Sequence, residues 1–211
     1  MVLIGSDRFI EHQTPEGHPE QSARARVMQE VSRRWVERGG ALRPPRPATR
    51  AELVRVHTPV YVDQIAATAG RGVRLDPDTY ASAESYDVAL HAVGAAIVAV
   101  EYALAECTSA IAFVRPPGHH AEQDRAMGFC LFNNVAVAAA LARAAGLDRV
   151  AVLDYDVHHG NGTQWMFYDD PSVLYVSLHQ YPFYPGTGAL TDVGRGDGIG
   201  WTLNVPLEAG A

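Results

Sequence analysis

Residues 150 to 162 read VAVLDYDVHHGNG. Val150, Ala151, Val152 and Leu153 form a short continuous apolar run, the pattern of a parallel strand buried on both faces. Directly behind the run stand Asp154, Asp156, His158 and His159, followed by an Asn-Gly turn signal. Polar chemistry at the carboxyl end of a buried parallel strand occupies the place where open α/β sheets bind ligands. Side chains alternate along a strand. Extended backbone carried through the cluster would therefore set Asp154, Asp156 and His158 on one face, and Tyr155, Val157 and His159 on the other. An Asp-x-His pair on one face can bring a carboxylate oxygen and an imidazole nitrogen to one cation, and zinc accepts both at roughly 2.0–2.2 Å. Asp154, one pleat deeper, can hold a second cation or orient a histidine from behind. The competing reading is a polar loop that caps the next helix, with Asn161 as the cap residue.

A second segment bears on that choice. RPPGHHA, Arg115 to Ala121, also follows a short apolar run. Its paired histidines sit behind a stiff Pro-Pro-Gly turn, and imidazole titrates near neutrality, which suits general acid–base work. The competing reading is two solvated loop histidines. Two His-rich loops after two parallel strands would lie at the same end of one sheet, and together they suggest a metal-activated hydrolase.

The remaining chain supports a sheet of that kind. Strands are expected at Val2 to Ile4, Ala110 to Val114, Val150 to Asp156, Val173 to Leu178 and Thr202 to Val205. Helices are expected over Glu20 to Arg38, from Thr58-Pro59 to about Ala69, over Glu84 to Cys107, over Asn133 to Ala145 and over Gly162 to Tyr168. Arg43 to Pro47 reads as a proline-rich connector and Gly70 to Ser82 as a loop. Strands alternating with helices predict an α/β fold with a mostly parallel sheet flanked by helices. Neither repeats nor an interior linker divide residues 1–211, so the reading is a single domain, or part of one.

Composition narrows the partners. The net charge of −7 argues against a nucleic-acid binder, which would carry a basic face. It is compatible with a basic peptide or a polyamine. Two distant cysteines, Cys107 and Cys130, make neither a disulfide framework nor a zinc knuckle, and a reducing cytoplasm is the simple expectation. The apolar stretch from Val88 to Ala105 is interrupted by His91 and Glu101 and reads as a core helix rather than a membrane span.

Six segments in order identify a resemblance. GHPEQSAR from Gly17, LDPDTYAS from Leu75, RPPGHHA, GFCLFNNVAVAA from Gly128, the segment around LDYDVHHGNGTQ, and SLHQYPFYPGTG from Ser177 resemble the histone deacetylase family, in particular its bacterial and class II-like branch. The resemblance implies an arginase/deacetylase-like α/β fold and zinc-dependent hydrolysis of an acetyl-lysine amide. It implies that Asp156 and His158 are zinc ligands, that His120 is the general base and acid, and that His119 is its electrostatic partner. Asp154 would back His119 and, with Ser177 and Leu178, hold a structural potassium ion. Asn161 would face His120, an amide where relatives outside this branch carry aspartate. Gly128, Phe129 and Tyr184 would wall the channel for the lysyl stem, and Asp78 would sit at its rim to accept substrate backbone amides. The implied partners are acetylated lysine peptides or proteins, or an acetylpolyamine. A membrane or a nucleic acid is not expected, and a homo-oligomer stays open. Asp and His ligands also accept ferrous iron, so the metal stays open too.

The sequence stops at Leu203 to Ala211, where the resembled pattern is expected to continue. The resemblance places a third zinc ligand, an aspartate, and the tyrosine that stabilises the oxyanion in a portion beyond Ala211. It also places two further strands near the middle of the sheet, without which the strands at Ala110 and Val150 would expose apolar edges. The fold is therefore expected to be incomplete at its carboxyl end, as a truncated product, a fragment or one piece of an assembly. The isolated chain is expected to be inactive or nearly so, and an inactive acyl-lysine-binding remnant is a rival reading. GRGDGIG at Gly194 to Gly200 misses the dinucleotide-binding spacing. His12, His57 and His91 carry no metal spacing, His179 reads as a structural strand-end histidine, and His18 is placed at the site entrance.

Overall fold

Short apolar runs form the strands that carry the site. In the first half of the chain, β1 (Val2–Ile4) pairs in parallel with β2 (Ala41–Arg43) on one side and with β5 (Ala110–Ala112) on the other. In the second half, β6 (Val150–Asp154) pairs in parallel with β7 (Val173–Gln180), and β7 with β8 (Thr202–Leu207). Between β2 and β5 in the chain, β3 (Val73–Arg74) and β4 (Tyr80–Ala81) make a separate small antiparallel pairing. The structure, a computed structural model, describes all 211 residues.

The alternation of strands and helices predicts parallel pairing, and every pairing among the six principal strands is parallel. The sheet, however, comes in two three-stranded pieces, ordered β2-β1-β5 and β6-β7-β8. β5 and β6 are end strands, and Ile111 and Leu153 on them are 39% and 62% exposed. These are the two strands expected to present apolar edges.

Helices cover the pieces. α4 (Ser85–Glu106) is long and apolar enough to cross a membrane by length and composition alone. In the fold it lies against β1, β5 and α5 (Asn134–Ala144) and buries Val88, Ala92, Val93 and Ile97. One core unites α3 (Pro59–Ala66), α4, α5, β6 and β7 through Ile65, Val93, Ile97, Phe132, Val137, Val152 and Tyr175. A smaller one gathers Val2, Ile4, Phe9, Ala25 and Val88 under α1 (Ala23–Glu37). The Thr58-Pro59 start signal acts as predicted, and Asn133, expected as the first helical residue, is instead the cap of α5. Thr58 caps α3 through its side chain with Pro59 in the first turn, and Asn133 Oδ1 accepts the Ala136 N–H at 3.0 Å to open α5.

Several expectations need correction. α1 begins at Ala23, not Glu20. Glu20 is instead 1% exposed and bridges Arg115 at 2.5 and 2.8 Å, which stitches the amino-terminal loop to the turn before His119. Ala41–Arg43 is an edge strand running into the proline-rich connector, and α2 (Arg50–Leu53), closed by a Thr49/Glu52 capping box, follows it. The loop from Gly70 contains β3 and β4. Above all, β6 ends at Asp154 rather than Asp156. The Asp154 and Asp156 carboxylates accept the N–H groups two residues on, at 3.2 and 2.9 Å, and so turn the chain. Strand alternation therefore does not reach His158.

Candidate active site

The turn at the end of β6 meets the Arg115–Ala121 loop. His119 Nδ1 donates to Asp154 Oδ2 at 3.0 Å, and His120 Nδ1 donates to Asn161 Oδ1 at 2.8 Å. The two imidazoles lie 4.0 Å apart between centroids. Asp154 also accepts the Tyr175 hydroxyl at 3.2 Å. Burial works against its charge, but the His119 hydrogen bond and charge, the Asp156 N–H and the Tyr175 hydroxyl hold its carboxyl below the usual range. Burial, then the neighbouring His119 and His158, push His120 down to about 3, so it is neutral at pH 7.

Glycine makes the close approach possible. Gly128 takes φ +56°, and a Cβ there would collide with the His120 ring. A Cβ on Gly160 would collide with Asp154 Oδ2 and the Tyr175 hydroxyl. Gly160, not Asn161, precedes α6 (Asn161–Met166) as its cap position. Asn161 is the first helical residue, and its side chain is spent on His120 and Glu122 rather than on capping.

His158 Nδ1 lies 3.3 Å from Asp156 Oδ1. The His120 and His158 rings are 6.0 Å apart, and Tyr184 stands edge-on to both, at 5.1 and 5.7 Å. Phe129, at φ +70°, packs edge-on against His18 at 4.8 Å, and its N–H donates to Thr79 Oγ1 at 3.0 Å. Thr79 in turn donates to Asp78 Oδ1 at 3.1 Å, while His18 Nε2 donates to the Asp78 carbonyl at 2.8 Å. Burial, then Asp76, raises the Asp78 carboxyl, and burial with Asp78 nearby raises the Tyr184 phenol. Ser177 pairs opposite Asp154 in the ladder, with Leu178 the next residue of β7; the Ser177 hydroxyl donates to His179 Nδ1 at 2.9 Å. His179 Nε2 donates to the Gly188 carbonyl, so both its nitrogens are engaged. A cleft of about 550 Å³ is lined by the loop from Val114 to His119, the start of α5 and the end of β6 with its turn, and His119, Asp154 and Asp156 stand in its wall.

The donor chemistry at Asp156 and His158 suits zinc, but the number falls short. A catalytic zinc ordinarily has three protein ligands, and no group of three or more His, Cys, Asp or Glu side chains is placed to hold a metal.

Sequence reasoning missed three members of this cluster. Phe183 stacks face to face on His158 at 5.2 Å and 10°. Tyr175 reaches Asp154 from the next strand. Glu122 accepts the Asn161 amide at 2.7 Å. Two of them had a signal: Glu122 directly follows RPPGHHA, and Phe183 stands inside SLHQYPFYPGTG beside Tyr184.

Residues 18–211 match the family model described as a histone deacetylase domain. This chain belongs to the histone deacetylase family. It is 42% identical over its whole length to an uncharacterized protein of Synechocystis, covering 70% of that protein. It is 38% identical over 99% of its length to a probable deacetylase of Archaeoglobus fulgidus, covering 59% of it. The crystal structure of the HDA15 HD domain superposes with a TM-score of 0.94 at 39% identity, over 100% of this chain and 62% of that one. The parallel strands flanked by helices are thus the arginase/deacetylase fold of the histone deacetylase family, and the chain spans 59–70% of the length of these relatives.

Proposed function

We propose that this chain carries the acid–base half of a zinc-dependent deacetylase site acting on acetyl-lysine side chains. The observation that carries the reading is the pair of adjacent histidines, each with its own acceptor, set beside an Asp156–His158 donor pair. Asp156 and His158 would hold the metal together with a further donor. A zinc ion so held supplies polarisation of the acetyl carbonyl and a bound water with its pKa lowered to about 7.

The chain's own residues do the rest. His120, neutral at pH 7 and donating through Nδ1, has its other nitrogen free to take a proton from water and return it to the leaving amine. Such acid–base help is worth roughly 10²–10⁴ in rate. His119, fixed on Asp154, places an oriented imidazole against it. Phe129, Gly128 and Tyr184 would wall the channel for the lysyl stem, favouring acetyl-lysine over charged lysine because burying an unpaired ammonium is costly. Asp78 is assigned to substrate backbone amides, and Asp154, Ser177 and Leu178 to a structural potassium ion.

The test is hydrolysis of a fluorogenic acetyl-lysine peptide with zinc, in competition with acetylputrescine. Turnover by the 211-residue chain should be slow, removed by chelator, selective for the peptide and lost in His120→Ala. With two metal donors and no oxyanion donor assigned, it should lie about 10²–10³-fold or more below a complete site. Chelator-insensitive turnover, or turnover that survives His120→Ala, would overturn the reading. Preference for acetylputrescine would overturn the substrate assignment.

A further inference from the structure

Asn161 stands between two groups of different character. Its Oδ1 lies 2.8 Å from His120 Nδ1, and its Nδ2 lies 2.7 Å from Glu122 Oε1 and 3.3 Å from Met127 Sδ. Asn161 and His120 are 1% and 4% exposed, so water does not compete for the bond between them, while the Glu122 carboxylate is partly exposed. An asparagine amide can be turned over, exchanging oxygen and nitrogen, unless a neighbour discriminates between them. His120 does not discriminate, because a neutral imidazole can present either an N–H or a lone pair at Nδ1. Glu122 does, because a carboxylate only accepts.

The logic then runs in one direction. The Asn161 NH₂ must face Glu122, with its second hydrogen toward the Met127 sulfur. The amide oxygen is turned onto His120 and requires a donor there. Neutral His120 must carry its proton on Nδ1, which leaves Nε2 bare, the form a general base needs. We infer that Glu122 is a positioning residue that sets the tautomer of His120 through Asn161. The inference rests on the acid–base role given to His120 above.

Glu122 is itself held firmly. Its N–H donates to the Arg125 carbonyl at 2.9 Å, its carbonyl accepts His57 Nδ1–H at 2.9 Å, and its carboxylate accepts from Arg125 at 2.9 Å. The same contact accounts for an amide rather than an acid at position 161. An aspartate there would set one carboxylate against another where the amide now donates, and like charges that close cannot both stay ionised.

The experiment uses the ¹⁵N-histidine-labelled 211-residue chain at pH 7, with two-bond N–H correlation spectra reporting the ring tautomer. In the native protein the Nδ1–H form of His120 should exceed the Nε2–H form by about tenfold or more, as a charge-assisted hydrogen bond would impose. Glu122→Gln, whose amide can present either face, should bring that ratio toward unity. Asn161→Asp should lower the melting temperature by about 2–8 °C, and adding Glu122→Gln should restore most of it. A ratio unmoved by Glu122→Gln would overturn the proposal, as would a double variant no more stable than Asn161→Asp. If Asn161→Asp does not fold, recovery of folding in the double variant supports the proposal and its failure overturns it. The readout is independent of turnover. Hydrolysis that survives His120→Ala while the tautomer still follows Glu122 would remove the functional reading and leave the positioning role.

Discussion

Three buried histidines, His57, His120 and His159, are each held below the usual imidazole range by burial. His57 donates through Nδ1 to the Glu122 carbonyl and accepts the Asn133 N–H at Nε2, at 2.9 and 3.0 Å. It is therefore built in as a neutral ring, and burial pushes it down to about 4. His159 is also pushed to about 4 and His120 to about 3, again by burial first. A histidine whose folded pKa lies below its unfolded value of 6.5 contributes stability that is present above pH 6.5. That contribution is lost as pH falls through the folded value. Each can contribute a slope of up to about 1.4 kcal/mol per pH unit. Denaturant midpoints should therefore fall from pH 6.5 to pH 4, and His57→Gln should flatten the slope. Midpoints independent of pH across that window would contradict this. At this scale the sequence was legible where a residue type has a narrow chemical use. His119, His120, Asp154, Asn161, Asp156 and His158 stand in motifs, and the structure brings them together. Glu122, Tyr175 and Phe183 reach the cluster across separate loops and strands, and glutamate, tyrosine and phenylalanine occur everywhere on a fold for other reasons.

Elements were legible where apolar runs were long or caps were clear. Thr58-Pro59 and Asn133 mark helix starts that the structure keeps, and the parallel pairing follows from the alternation of types. The edge strand Ala41–Arg43 and the hairpin of Val73–Arg74 with Tyr80–Ala81 were not legible, since two or three residues hold no period. The end of β6 was misplaced because two aspartates redirect their own backbone, a local side-chain bond that overrides extension. The exposed edges of β5 and β6 have a consequence of their own. Unpaired strand edges with apolar side chains template association, and Leu153 is 62% exposed on one of them. Leu153→Lys should raise the concentration at which the chain aggregates, measured by light scattering, and leave the melting temperature within about 2 °C, as surface changes generally do. Unchanged aggregation would mean that these edges are not the sticky surface.

On the scale of the whole molecule, the fold brings two adjacent histidines, the Asp156–His158 pair and the Tyr184 ring together beyond the end of β6 in a divided sheet. The division is the feature most at odds with a self-sufficient site, because β6, which leads into Asp154, is an end strand, and His119, Asp154 and Asp156 wall a cleft beside it. We propose that Asp156 and His158 hold zinc and that no third side chain within residues 1–211 joins them. Equilibrium zinc binding, read against a chromophoric chelator, tests it most directly. Binding should be weak and should fall by more than about tenfold in either Asp156→Ala or His158→Ala. Tight binding by the 211-residue chain, or binding that neither substitution disturbs, would contradict it.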